Sequence, residues 1–177
     1  MSDQVFFYLK IFIYGLAIAL VAVLDATVVS TLPFGLYRLH LLPLALVFVV
    51  LLSNLRVAAW WALLGGLVLE LFSFRFFGMY LMLSWISLGV IALLFEKVMT
   101  NRSLYSVALV SALVTFIYDI LFLVADYVNG VVLQSFANLL LSLMWSLIIN
   151  VVAAIIIFNI SHIVSRRLRP VFLKGRY

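Results

Sequence analysis

Three carboxylic acids lie inside long apolar stretches of the sequence, and they are the residues best placed to do chemistry. Asp25, Glu70 and Asp119 are each surrounded by leucine, valine, alanine and aromatic residues. A carboxyl group in such a stretch has to be neutral, paired or close to water. It therefore marks a site that binds a cation, moves a proton or joins helices through hydrogen bonds.

Other kinds of chemistry lack the residues they need. The chain has no cysteine and two histidines, His40 and His162. The apolar stretches predict a topology that places these histidines on opposite sides of the membrane, so they cannot form one metal site. The serines have no histidine at a matching depth, which argues against a hydrolytic triad, and no glycine-rich phosphate loop is present. We therefore expect a protein that is not an enzyme and that holds neither a cofactor nor a metal.

The composition places the acids in a membrane. Hydrophobic residues make up 68% of the 177 residues, charged residues make up 10%, and the mean hydropathy is +1.35, whereas soluble domains are about 45–50% apolar. The length allows six spans of about 20 residues but no additional soluble domain of about 50 residues. We predict an all-α membrane protein that forms a single integral membrane domain over residues 1–177.

Apolar runs and their polar boundaries predict six transmembrane helices. Their approximate ranges are 8–32, 39–53, 57–74, 78–97, 104–125 and 134–163, with a basic tail at 164–177. In the third span, Gly65, Gly66 and Glu70 share a face of small residues, which we expect to pack on protein. Thr115 shares a sector of the fifth span with Asp119. The second span is apolar all round, and we expect it to face lipid on much of its surface.

The basic residues predict the orientation of the helices. With both termini in the cytoplasm, nine of the eleven lysine and arginine residues lie on the inner side, and only Arg38 and Arg75 lie on the outer side, as the positive-inside rule requires. The net charge of +5 then reflects topology and contact with anionic lipids, and no nucleic acid is expected as a partner. The residues of the tail assigned to lipid binding are Arg166, Arg167 and Arg169.

This topology brings the three acids to a common depth. Each lies about 13–15 residues from the inner end of its span, which places it about 20–22 Å from the inner face, in the outer half of a core about 30 Å thick. Three interpretations stay open. The acids join helices through hydrogen bonds, with Arg75 or Arg38 as candidate partners; they line an outward-facing cavity that receives a basic or polar group from a partner's helix; or they move ions or protons.

The middle of the chain carries a pattern of four residues, namely Gly66, Leu67, Glu70 and Gly78. With the apolar spans around it, over residues 39–127, this pattern resembles the bacterial rod shape-determining protein MreD, a family that usually has aspartate at the position of Glu70. The resemblance implies a non-enzymatic member of the elongation machinery that builds the lateral cell wall, located in the bacterial inner membrane. As partners it implies a bitopic MreC-like protein, the RodA–PBP2 peptidoglycan synthase, RodZ and MreB. It also implies a fold similar to the S components, the substrate-binding subunits of energy-coupling-factor vitamin transporters.

Two functions are therefore expected. The first is a membrane scaffold that docks a partner's transmembrane helix in a groove lined by the spans that bear Glu70 and its neighbours. The residues assigned to partner binding or to structural polar contacts are Glu70, Gly66, Arg75, Gly78, Asp25, Asp119 and Thr115. The alternative is the substrate-binding S component of an energy-coupling-factor vitamin transporter, which the six spans and the spacing of Ala22 and Ala26 favour and the short outer loops oppose.

Overall fold

The structure is a computed structural model that describes the backbone of residues 2–33, 36–73, 77–98, 104–130 and 135–172. Within these ranges the side chains are described from residue 14 to residue 161, apart from Ser30, Phe136 and residues 96–98. The described residues form six α-helices and no strand, so the predicted all-α class is confirmed. The helices are α1 Ser2–Thr27, α2 Leu41–Leu52, α3 Leu55–Phe72, α4 Met79–Val98, α5 Leu104–Val128 and α6 Phe136–Phe172.

Among the residues whose side chains are described, three segments are long and apolar enough to cross a membrane, namely α3, α5 and Ala137–Ser161 of α6. Each of them leaves large apolar side chains exposed, for example Leu71 on α3, Leu109 on α5 and Ile148 on α6. Exposed apolar surface of this extent is unusual for a soluble protein. The predicted membrane character is therefore supported, while the six-span topology and the cytoplasmic position of both termini stay predictions.

Helix α2 lies among the other helices and does not face lipid, so that expectation is wrong. It packs on α1, α3, α4 and α5, and eight of its twelve residues are buried. A helix that is apolar on every side is a core helix when other helices surround it. At about 1.5 Å per residue α2 is about 18 Å long, which is shorter than the hydrocarbon core of about 30 Å. It can therefore cross a bilayer only together with the segment that precedes it.

Helix ends differ from the prediction at α1 and α6. The first span was expected to reach residue 32, but α1 ends at Thr27 and is followed by two short 3₁₀ helices, Val29–Thr31 and Leu36–Arg38. Leu32 is extended, with φ −70° and ψ 136°, as the residue before a proline prefers. Helix α6 continues past the predicted residue 163 to Phe172, so the tail arginines have helical backbone, and their side chains lie outside the described set.

Small residues allow α3 to approach two neighbours closely. A Cβ atom added at Gly66 would lie 2.7 Å from Ser84 Oγ on α4, so a larger residue does not fit without a shift. The Ser84 hydroxyl is buried and donates a hydrogen bond to Ala62 O at 2.8 Å, which joins the two helices at the same level. A Cβ atom at Gly65 would meet the side chain of Leu42 on α2. The small-residue face of α3 therefore packs on protein.

Candidate functional site

The segment between α1 and α2, which we call the 28–40 connection, runs against the middle of α6. Asn150 is fully buried near the centre of the apolar segment of α6, and its Oδ1 accepts a hydrogen bond from His40 N at 2.9 Å. Its Nδ2 donates to Arg38 O at 3.0 Å, and Ser146 Oγ donates to the same carbonyl at 3.4 Å. Non-helical backbone at the depth of a membrane is stable only where protein groups replace water as partners. Asn150 supplies those partners.

Asp25 caps α2, although it belongs to α1. Its Oδ1 accepts a hydrogen bond from Leu41 N and its Oδ2 accepts one from Leu42 N, both at 3.2 Å. These residues begin α2, where the N–H groups have no partner inside the helix, and the preceding His40 provides no side-chain cap. A carboxylate at this end also interacts favourably with the helix dipole. Asp25 thus joins α1 to the start of α2.

Asp119 on α5 holds the side chain of the same His40. Asp119 Oδ1 and His40 Nε2 are 2.9 Å apart, which is hydrogen-bond distance; when the carboxylate is the acceptor, Nε2 is the donor. The Tyr118 ring lies 4.8 Å from the imidazole, and Thr115 is buried one turn earlier on α5. Asp25 and Asp119 therefore act on the consecutive residues 40–42, which brings two of the three predicted acids to one place.

Glu70 caps the N-terminus of α4 as Asp25 caps that of α2. Its Oε1 accepts a hydrogen bond from Gly78 N at 2.8 Å and its Oε2 accepts one from Tyr80 N at 3.0 Å. Gly78 has φ +99°, a left-handed conformation that glycine adopts without strain. Glu70 is buried, so its carboxylate faces protein and not lipid. Gly66, Glu70 and Gly78 together fix α3 against α4, and we call this arrangement the α3–α4 unit.

Substitution of Glu70 tests its capping role. Glu70→Leu removes both acceptors and leaves Gly78 N and Tyr80 N without partners, so we expect the free energy of unfolding to fall by about 2 kcal/mol. Glu70→Gln keeps one acceptor oxygen, and we expect a loss of about 1 kcal/mol. Chemical unfolding in mixed micelles, followed by circular dichroism, measures both values. A leucine variant as stable as the wild type would show that the two bonds do not stabilise the fold.

A cavity of about 200 Å³ lies between the 28–40 connection and residues of α1, α3, α4 and α5. The predicted topology places this end of the molecule at the outer side of the membrane. Asp25 and His40 form part of its wall, and Glu70 and Asp119 lie outside the lining. The lining residues are Asp25, Ala26, Val29, Tyr37, Leu39, His40, Leu69, Phe72, Ser73, Tyr80, Tyr118 and Phe122. The cavity can accept a small molecule or a side chain that has both apolar and polar groups.

The predicted site residues fall into two groups. Asp119 bonds to His40 at the end of the 28–40 connection, and Asp25 bonds to the next two residues, which begin α2. The remaining described ones belong to the α3–α4 unit, apart from Thr115, which is buried on α5. Arg75 lies outside the described residues, as do the side chains of Arg166, Arg167 and Arg169. In the described part of the chain no group of three or more His, Cys, Asp or Glu side chains could hold a metal ion.

Two residues on which the site depends carry weak signals in the sequence. Asn150 is one member of a row of small and polar residues on α6, and His40 reads as a loop residue. Position could have identified Asn150, because a carboxamide in the middle of an apolar span is costly without partners. No local signal identifies His40, whose partners lie 79 and 110 residues away in the chain.

No family model matches the chain, and neither a curated protein nor a solved structure matches it significantly. The resemblance to MreD therefore rests on the four residues of the central pattern and on the apolar spans around them. The function has to be inferred from those residues and from the geometry of the α3–α4 unit and the cavity.

Proposed function

We propose that the protein is a non-enzymatic scaffold of the bacterial cell-elongation machinery in the inner membrane, and that it binds the transmembrane helix of an MreC-like bitopic partner. The observation that carries this proposal is the α3–α4 unit, in which Glu70 accepts a hydrogen bond from Gly78 N and Gly66 permits close contact between the helices. Three of the four residues that carry the MreD resemblance, namely Gly66, Glu70 and Gly78, thus help to fix this helix pair. A fixed pair offers a partner a preformed surface, which lowers the entropic cost of binding.

The surface that the α3–α4 unit offers is apolar. Leu71, Phe77 and Met82 are 80%, 72% and 68% exposed, and they lie at the end of the unit where the two helices are joined. We call these three residues the docking surface. Because Glu70 is turned inward, its carboxylate positions α4 and does not contact the partner. The partner's helix packs on the apolar side chains through van der Waals contacts, as helices do in lipid.

The six-span topology with both termini in the cytoplasm is part of this proposal. The second crossing is made by the 28–40 connection together with α2, and the docking surface lies in the outer half of the membrane. The RodA–PBP2 synthase, RodZ and MreB are reached through the MreC-like partner. At the inner surface the tail contacts anionic lipids, at about 1 kcal/mol for each basic residue, through Arg166, Arg167 and Arg169.

Two exposed methionines allow a matched test of the docking surface. Met82→Trp adds a bulky ring, and we expect it to lower the recovery of the MreC-like protein of the same genome with the tagged chain at least about fivefold, because closely packed helices accommodate little added volume. Met144 on α6 is 63% exposed, and Met144→Trp should leave recovery unchanged. Quantitative immunoblots of material purified in mild detergent give both values. Equal recovery with the two variants would contradict docking on the α3–α4 unit.

The cavity favours a second candidate function, the substrate-binding S component of an energy-coupling-factor vitamin transporter. A concave site of about 200 Å³ lined mostly by apolar and aromatic side chains is typical of small-molecule binding. The spacing of Ala22 and Ala26 does not support this function, because Ala22 is fully buried in a cluster with Leu42 and Leu69. Mass spectrometry of small molecules extracted from the purified protein tests it, and a vitamin present in stoichiometric amount would favour it over the scaffold.

A further inference from the structure

The cavity beside the 28–40 connection is rich in rings. Six of its lining residues carry an aromatic or imidazole ring, namely Tyr37, His40, Phe72, Tyr80, Tyr118 and Phe122. The Phe122 ring is stacked 6.5 Å from that of Tyr118 and lies edge-on 6.2 Å from that of Tyr80. The faces of aromatic rings attract cations. A cavity of about 200 Å³ holds about eight non-hydrogen atoms, since a cavity of about 150 Å³ holds benzene, which has six.

The same cavity has a carboxyl group in its wall. Asp25 uses two of its roughly four acceptor sites for the N–H groups of Leu41 and Leu42. Asp119 stands behind His40 and is bonded to it, so the carboxyl groups of Asp25 and Asp119 lie on two sides of one imidazole. With Nε2 donating to Asp119, a neutral His40 offers Nδ1 as a further acceptor.

Positive charge is absent from the described lining of the cavity. Arg38 is not one of the lining residues; its Nη1 donates to Ser142 O at 3.3 Å, and its guanidinium carbon lies 5.2 Å from the centroid of the ring of Tyr37, which does line the cavity. An anionic ligand would meet the carboxylate of Asp25 without a counter-charge. A calcium or magnesium ion would find one carboxylate in the wall, which is too few oxygen ligands for either.

We propose that this cavity binds a compact organic cation, a protonated or quaternary amine of about eight non-hydrogen atoms, with Asp25 as its counter-ion and the rings of Tyr118 and Phe122 against it. The buried cation keeps a counter-charge, which burial of a charge requires, and it gains cation–π contacts that are strongest where water is excluded. The site is independent of the scaffold role, and it names a ligand class for the second candidate function.

Choline and its neutral isostere 3,3-dimethylbutan-1-ol test the proposal, because they share a shape and differ in charge. Isothermal titration of the whole protein in lipid nanodiscs should show saturable binding of choline, with a dissociation constant at least about tenfold below that of the alcohol. Equal affinity of the two compounds, or no saturable binding of choline, would overturn the proposal. The measurement needs no partner protein, so its failure would leave the scaffold role standing.

Two variants and a control locate the bound cation. Phe122→Leu removes a ring of the wall and leaves the hydrogen bonds of the connection intact, so choline should bind about fivefold more weakly. Asp25→Asn keeps one acceptor of the α2 cap and removes the charge, so the preference for choline over the alcohol should disappear. Tyr105 is 83% exposed at the start of α5, and Tyr105→Leu should change neither value. If folded Phe122→Leu and Asp25→Asn, verified by thermal unfolding, bind choline as the wild type does, the proposal fails.

Discussion

Replacing Asn150 with leucine is expected to lower the free energy of unfolding by about 3 kcal/mol, a large part of the stability of a small domain. Leucine has as many side-chain heavy atoms as asparagine and leaves no cavity, so the loss comes mainly from the polar groups left behind. His40 N loses its acceptor and Arg38 O loses the donor that lies 3.0 Å away. Each unpaired buried group costs about 1–3 kcal/mol, and water inside the hydrocarbon core cannot replace the lost partner.

Asn138 on the same helix provides the control, because it belongs to the same row of residues and is exposed. Asn138→Leu should stay within about 0.5 kcal/mol of the wild type, as exposed substitutions usually do. Reversible unfolding in mixed micelles at increasing dodecyl sulfate gives the free energy of each variant. A loss for Asn150→Leu no larger than that for Asn138→Leu would mean that the side chain of Asn150 does not hold the 28–40 connection in place.

The packing of the small-residue face of α3 on protein could be predicted from the sequence, because the spacing of Gly65, Gly66 and Glu70 is a local signal. The bond from Gly78 N to Glu70, eight residues earlier, lies within the same short stretch, but the spacing alone does not predict it. Asp25 reaches 16 residues along the chain to Leu41, and Asn150 reaches 110 residues to His40. Spacing along the sequence carries no information about partners so far apart, and the partners of Asp25 and Asn150 could not be predicted for that reason.

The position of α2 could not be predicted from its pattern. The hydrophobic pattern of an apolar helix is the same whether lipid or protein surrounds it, and here α1, α3, α4 and α5 surround α2. Length was the available signal. The predicted span of 39–53 would extend about 22 Å at 1.5 Å per residue, less than the hydrocarbon core, and apolar segments this short are usually core or re-entrant helices.

The sequence left three roles open for the buried acids: to join helices through hydrogen bonds, to line a cavity, or to move ions or protons. The contacts of Asp25 match the first two of these roles. Asp25 and Glu70 join helices by accepting bonds from the backbone N–H groups that begin α2 and α4. Asp25 also lies in the wall of the cavity, so one carboxylate serves structure and remains available to a ligand. A cap formed by the side chain of another helix gives the start of α2 a fixed position, and this position shapes the cavity.

A valine at position 66 is expected to separate α3 from α4 and to lower the free energy of unfolding by about 3 kcal/mol, the upper part of the range for added volume in a packed core. The Cβ atom would lie 2.7 Å from Ser84 Oγ, 3.0 Å from Leu81 Cα and 3.3 Å from Tyr80 O. Leu81 Cα and Tyr80 O are backbone atoms, so they move only if α4 moves. Ser84 Oγ is held by bonds to Ala62 O and Leu81 O, so its rotation would leave a buried carbonyl without its donor.

Gly89 on α4 is the control for Gly66→Val, because a Cβ atom there has no heavy atom within 4 Å. Gly89→Val should change the free energy of unfolding by less than about 1 kcal/mol, measured in the same micelles. Gly66→Val should also reduce recovery of the MreC-like partner, since a displaced α4 moves Met82 relative to Leu71. If Gly66→Val were as stable as Gly89→Val, the contact between α3 and α4 would accommodate a valine side chain at position 66. A partner would then meet no fixed surface, and the docking proposed for the α3–α4 unit would lose its physical basis.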